Sequence, residues 1–274
     1  MSLKIYPTHR PTQWSARETT LSTQLTLPVK ITALSLFCPT GQDAAALAVE
    51  PTSGDVPNFK PRTMVPDRKN LKLMTHAVRL GVASIAMAVE QSDKWNSVPP
   101  QRRGMYVGAS PQVGQHDDLA AAIEIAFQSG SFSMQDFGAY GIEKIHPLWL
   151  VRGLSNNVLG FASAHYDAQG HNMSYAMGED GGWNAIIEGA YALVEGRLDI
   201  VVVGASDDLT GASEVLGQAG SAGAAFFVME RSETTMILDR SIYASYAEKY
   251  GLLGAAKIPV GLALHEFTQT KQAQ

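Results

Sequence analysis

One stretch constrains the fold more than any other: "HNMSYAMGEDGGWNAIIEGAYALVEGRLDIVVVGAS", His171 to Ser206. Asn172–Met177 predicts a strand and Gly178–Gly182 a tight Gly-rich turn. Trp183–Val194 predicts a helix with Trp183, Ile186, Ile187, Ala190, Tyr191 and Val194 facing inward. Asp199–Gly204 predicts a central strand, because "DIVVVGA" is a continuous apolar run with no polar face. Many enzymes place a nucleophile at the tip of such a turn. Here the tip carries Glu179 and Asp180, with no Cys, Ser or Thr between Met177 and Trp183.

The surrounding chain supplies further elements of the same layered kind. Residues 1–28 are polar with scattered apolar positions and read as an N-terminal arm. Val29–Pro39 reads as a buried strand, and the four prolines of Pro51–Asp67 as a loop. Lys69–Gln91 is a helix rich in small residues, Arg103–Ser110 a short strand, and Asp117–Gln128 a helix. From Pro147 the chain turns helical, with Ser155 as the cap of a second helix near Asn156. Gly223–Arg240 reads as two strands joined by a polar turn at Arg231–Thr234. Ile242–Tyr250 reads as a helix and Ile258–Leu264 as a strand. Strands alternating with helices and closed by a hairpin point to an α/β layered domain.

Composition narrows the function classes. Apolar residues make up 45% of the chain and charged residues 17%, which suits a globular protein with a large core. A net charge of −5 gives no electrostatic footprint for nucleic acid or an anionic membrane. The single cysteine, Cys38, rules out an internal disulfide and a Cys-rich zinc site. The absence of an apolar leader at the N-terminus, and of any apolar run long enough to span a bilayer, leads us to expect a cytoplasmic protein. There is no Walker A loop, no G-x-S-x-G elbow and no G-x-G-x-x-G after a strand, so kinase, hydrolase and dinucleotide-binding readings lack support. His116, Asp117 and Asp118 are adjacent rather than at ligand spacing, so no metal is expected, and no cofactor either.

The residues now carry a family resemblance. "VKITALSLFCPTG" and "RRGMYVGAS" resemble the first two strands of the β-ketoacyl synthases. The run from Ile145 to Asp208 resembles their longest signature, with Asn157 in place and Gly170 and Asn172 forming the "G-x-N" that leads into the elbow strand. The resemblance spans roughly residues 29–230. It implies a layered thiolase-like α/β fold, a mixed five-stranded sheet with helices, mainly the N-terminal half of a ketosynthase. The half domain would run over residues 29–240, with 241–274 a short segment packing on it.

Two departures shape the functional expectation. Glu179 occupies the position of the family's active cysteine, where a helix N-terminus lowers a thiol pKa and helps hold an oxyanion. A carboxylate there cannot form the thioester that acyl transfer requires. The family's two catalytic histidines belong to a C-terminal half, and His265 in "LALHEF" matches neither of their motifs. The resemblance therefore implies a chain-length factor, a non-catalytic subunit that forms a heterodimer with an active ketosynthase and meets acyl carrier protein through that complex. The short form resembles the partner subunit of bacterial aryl-polyene pathways.

Such a subunit would meet its partner across Asn172, Met173, Ser174, Tyr175, Ala176 and Met177. Phe132, Met134, Phe137 and Tyr140 are candidates for the floor of an acyl tunnel, although ordinary core packing explains the same aromatic pattern. Arg102, Arg103 and Arg152 are candidate contacts for an acidic carrier. Two alternatives stand beside this reading: a malonyl-carrier-protein decarboxylase using Glu179, and a stand-alone binding protein.

Overall fold

The computed structural model describes residues 24–110 and 117–272. Six strands form one sheet: β1 (Gln24–Cys38), β2 (Gly41–Gln42), β3 (Arg103–Ala109), β4 (Asn172–Ala176), β5 (Ile200–Asp208) and β6 (Ala222–Asp239). Their order is β2-β1-β6-β5-β3-β4. β3 runs parallel to both β4 and β5, while β6 runs antiparallel to β5 and β1. The two-residue β2 is an appendage on β1, so the working sheet is the expected mixed five-stranded one.

Helices of eight or more residues are α1 (His76–Glu90), α2 (Asp117–Ala126), α3 (Asn157–His165), α4 (Glu179–Val194), α5 (Arg240–Ala247) and α6 (Lys257–Gln272). Alternate residues of the central strands divide between two cores. Val201, Val203, Ala225 and Phe227 face α4, α5 and α6, whereas Ile200, Val202, Ala224 and Phe226 face α1 and α3. This period-2 division explains why β5 carries no polar face: both of its faces lie under helices.

Several expectations change. β1 begins by Gln24, which pairs with Asp239, so residues 24–28 are strand rather than arm. The helix expected over Lys69–Gln91 is a 3₁₀ helix, Arg68–Leu73, followed by α1. The Thr75 hydroxyl caps α1 by accepting from the Val78 N–H at 3.4 Å. α3 has Asn156 at its N-cap with no side-chain cap bond, so Ser155 is not the cap. Asn157 instead ties α3 to the preceding turn, donating to the Val151 carbonyl at 2.7 Å.

The expected hairpin over Gly223–Arg240 is one 18-residue strand. Leu27 pairs with Met236 and Val29 with Arg231, so Pro28 alone faces Ser232, Glu233, Thr234 and Thr235. Proline has no N–H to give to the ladder, and the polar stretch bulges out opposite it. Both halves of the strand then pair with β1 and not with each other. The expected strand Ile258–Leu264 is the first half of α6, buried throughout. A short apolar run covered on all sides has no period to separate helix from strand. Pro259 sits in the first helical turn, where its missing N–H has no intrahelical acceptor to lose.

Candidate functional site at the elbow

β4 delivers the chain to Gly178, whose φ of +57° and ψ of −136° would strain any residue with a Cβ. α4 starts directly after it, at Glu179, four residues earlier than the Gly-rich turn suggested. Gly181 and Gly182 are therefore helical and buried. A Cβ on Gly182 would come within 2.2 Å of the Ala255 carbonyl oxygen, so that glycine admits the Gly254–Ala256 turn against the helix.

Glu179 and Asp180 occupy the first turn of α4, where the N–H ends of the backbone favour negative charge. Each also meets a cation from the C-terminal segment. Lys257 Nζ donates to Glu179 Oε1 at 3.1 Å. The Arg240 guanidinium donates to the Asp180 carboxylate and lies 4.0 Å from Glu179. Lys257 and Arg240 are themselves the first residues of α6 and α5. A cation at a helix N-terminus is unfavourably placed, and the two carboxylates offset that. Three helix starts thus converge on one four-charge cluster. Sequence adjacency offers Glu179 no basic partner; Lys257 arrives from 78 positions away.

Beside the elbow lies a group that pattern reading missed. Asp207, near the carboxyl end of β5, is 2% exposed. Its carboxylate accepts from Ser110 Oγ, from the Ala255 N–H at 2.8 Å and from the Asp208 N–H at 3.0 Å. Burial pushes its pKa above the ordinary Asp value, and those hydrogen bonds only partly oppose the shift. Asp207 therefore latches the Gly254–Ala256 turn onto the sheet next to α4. The available signal was two acidic residues ending an apolar strand in "VVVGASDD".

The other candidates separate by position. β4 pairs with β3 on one side and is the last strand in the sheet order. Met173 is 50% exposed and Met177 is 56% exposed. Asn172 is turned inward: it accepts from the Met105 N–H at 2.8 Å and donates to the Ala168 carbonyl at 2.7 Å. Tyr175 stacks on Tyr106 with ring centroids 6.5 Å apart. Phe127, Phe132 and Phe137 form an aromatic chain at 5.5 and 6.0 Å, which holds Phe137 half-buried. Met134 and Tyr140 project into solvent on a short helical turn and a π-helical turn.

Arg102 is spent on Asp199, at 2.7 and 3.0 Å, and Arg103 on the Val98, Asn96 and Tyr166 carbonyls. His265 packs beside the rings of Tyr243 and Tyr246. His116 lies outside the described residues; among those described, no group of three His, Cys, Asp or Glu is arranged to hold a metal. No helix among them is long and apolar enough to cross a membrane.

No protein-family model and no curated protein matches the sequence. Solved structures do match. A chain of the ishigamide ketosynthase/chain length factor superposes with a TM-score of 0.63 at 14% identity, over 90% of this chain and 92% of that one. A type II PKS acyl-carrier protein complex with its ketosynthase bound to the hexaketide gives a TM-score of 0.59 at 19% identity, over 75% of this chain and 62% of that one. A ketosynthase in complex with its chain length factor, from Xenorhabdus doucetiae, gives 0.52 at 14% identity, over 76% and 59%. The chain thus spans less than two thirds of two of these matched chains and nearly all of the other. It has the layered, thiolase-like fold of the ketosynthases.

Proposed function

We propose that this chain is a chain-length factor, a non-catalytic ketosynthase-like subunit. It forms a heterodimer with an active β-ketoacyl-ACP synthase and shapes that partner's acyl pocket. The observation that carries the reading is Glu179, set at the elbow of a ketosynthase fold and engaged by Lys257. Acyl transfer at that position needs a nucleophile that can carry a thioester, and an ion-paired carboxylate does not do this. Its chemistry would then be steric, with elongation stopping where the tunnel ends.

The open edge of β4 supports the partner surface. An edge strand presents unpaired N–H and C=O groups that a second chain can cover, and Met173 and Met177 add exposed apolar area there. Met134 and Tyr140 suit the acyl-pocket role better than Phe137, which the aromatic chain holds in place. The named ketosynthase/chain length factor neighbours support a polyketide or fatty-acid type system. Within that class, the resemblance points to an aryl-polyene type system, and the complex would work in the cytoplasm without a cofactor or metal.

Co-expression with the candidate ketosynthase tests the reading. The two chains should co-purify as one complex that elongates malonyl units on acyl carrier protein, and Glu179→Ala should leave elongation intact. Separate elution at micromolar concentration overturns it. So does malonyl-carrier decarboxylation by the isolated chain that Glu179→Ala abolishes.

A further inference from the structure

A cavity of about 470 Å³ opens at the far end of α5 from Arg240 and the elbow. Two segments wall it. Ser245, Tyr246, Lys249 and Tyr250 come from α5 and the 3₁₀ turn Glu248–Tyr250, at a spacing that places them along one side of the helix. Leu47, Val49 and Glu50 come from the end of the 3₁₀ helix Asp43–Ala48 and the residues just after it. Leu264 of α6 also lines the cavity; it and Tyr250 are buried, at 1% and 4% exposed. Val49 is 51% exposed, an apolar side chain that a ligand would cover. Small-molecule sites are typically about 300–1,000 Å³ and mostly apolar, with a few polar groups that fix orientation.

The polar groups of the lining are not equivalent. The Tyr250 hydroxyl is paired with the Thr40 side chain, and Ser245 Oγ donates to the Ile242 carbonyl at 2.7 Å. Lys249 and Glu50 are exposed and form no ion pair with each other or, among the described residues, with any other group. One positive and one negative charge therefore bound the same apolar space.

That pair of charges selects the ligand class. A phosphate or a lone carboxylate is attracted by Lys249 and opposed by Glu50, and a lone amine the reverse. A hydrocarbon leaves both charges partly dehydrated with nothing in return. A zwitterion with an apolar body satisfies both ends and fills the space between the walls.

We propose that this cavity binds a free α-amino acid with an apolar or aromatic side chain. Its carboxylate meets Lys249, its ammonium meets Glu50, and its side chain lies against Leu47, Tyr246 and Leu264. The probe is L-phenylalanine, titrated onto the full chain by isothermal calorimetry. The analogues 3-phenylpropanoate and phenethylamine keep one charge each. L-Phenylalanine should saturate the site, and each analogue should bind about tenfold more weakly or worse. Glu50→Gln should weaken L-phenylalanine by a similar factor and leave 3-phenylpropanoate at least as tight. Lys249→Met should also weaken L-phenylalanine while sparing phenethylamine. Both residues are exposed, so neither change should move thermal unfolding by much. No saturable heat at about 10 mM L-phenylalanine overturns the proposal. So does equal binding of the three probes, or wild-type affinity in both charge variants. The outcome does not depend on the chain-length-factor reading, because the free chain is measured without a ketosynthase.

Discussion

Lys257 Nζ lies 3.1 Å from Glu179 Oε1, so the residue standing at the elbow is held by the first residue of the C-terminal helix. The two side chains are 26% and 44% exposed, which sets the scale of the interaction. Half-exposed pairs contribute about 0–1 kcal/mol, and a carboxylate in a first helical turn about 0.3–1 kcal/mol. Glu179→Gln should therefore cost about 1 kcal/mol or less in urea unfolding, with an unchanged m-value. Lys257→Met should cost a similar amount. A loss several times larger would mean the pair does more than hold charge.

The Gly182–Ala255 contact is a harsher test of how the C-terminal segment is seated. A Cβ at Gly182 meets the Ala255 carbonyl oxygen at 2.2 Å and Pro259 Cδ at 2.7 Å. Backbone and a proline ring have little room to give, and overpacking typically costs about 1–3 kcal/mol. Gly182→Ala should lower the urea midpoint by that amount and raise hydrogen exchange at Ala255 and Ala256. Gly138→Ala, in the π-helical turn with nothing within 4 Å of the new Cβ, should be near neutral.

Asp207 predicts a pH dependence with a definite sign. Burial raises its folded pKa above the ordinary 3.8. Folding then favours the protonated carboxyl, so the associated stability is complete below that ordinary value and is lost as pH rises through the raised folded value. Asp43 and Glu266 are also raised by burial, so the wild-type curve alone does not isolate Asp207. The difference between wild type and Asp207→Asn does: unfolding free energies across pH should converge as pH rises through that window. Asp207→Asn should also carry a pH-independent cost of about 1–3 kcal/mol, because the amide keeps one oxygen and puts an NH2 in place of the other, so the Ala255 or the Asp208 N–H loses its buried acceptor.

At the open edge, Met173→Asp and Met177→Asp place charge on side chains that are 50% and 56% exposed in the isolated chain. Surface changes of this kind usually alter stability by about 0.5 kcal/mol or less. Thermal unfolding of the free chain should hardly move, while co-purification with the ketosynthase should be lost, as light scattering would show.

The elements that the sequence determined by itself are those with a clear local signal. β3, β4, α4 and β5 follow from short apolar runs bounded by turn residues, an amphipathic helix and the glycine before Glu179. Where the local signal is ambiguous, tertiary structure decided. Ile258–Leu264 is buried on every side, so its helix is set by the core it enters. The two halves of β6 flank a polar stretch as the strands of a hairpin would, and only pairing of both with β1 across Pro28 shows one strand. The site divides in the same way. Sequence placed a carboxylate at the elbow; the fold supplied Lys257, Arg240 and the Asp207 latch, because charges separated by 60 and 78 positions meet only once three helix starts have been packed together.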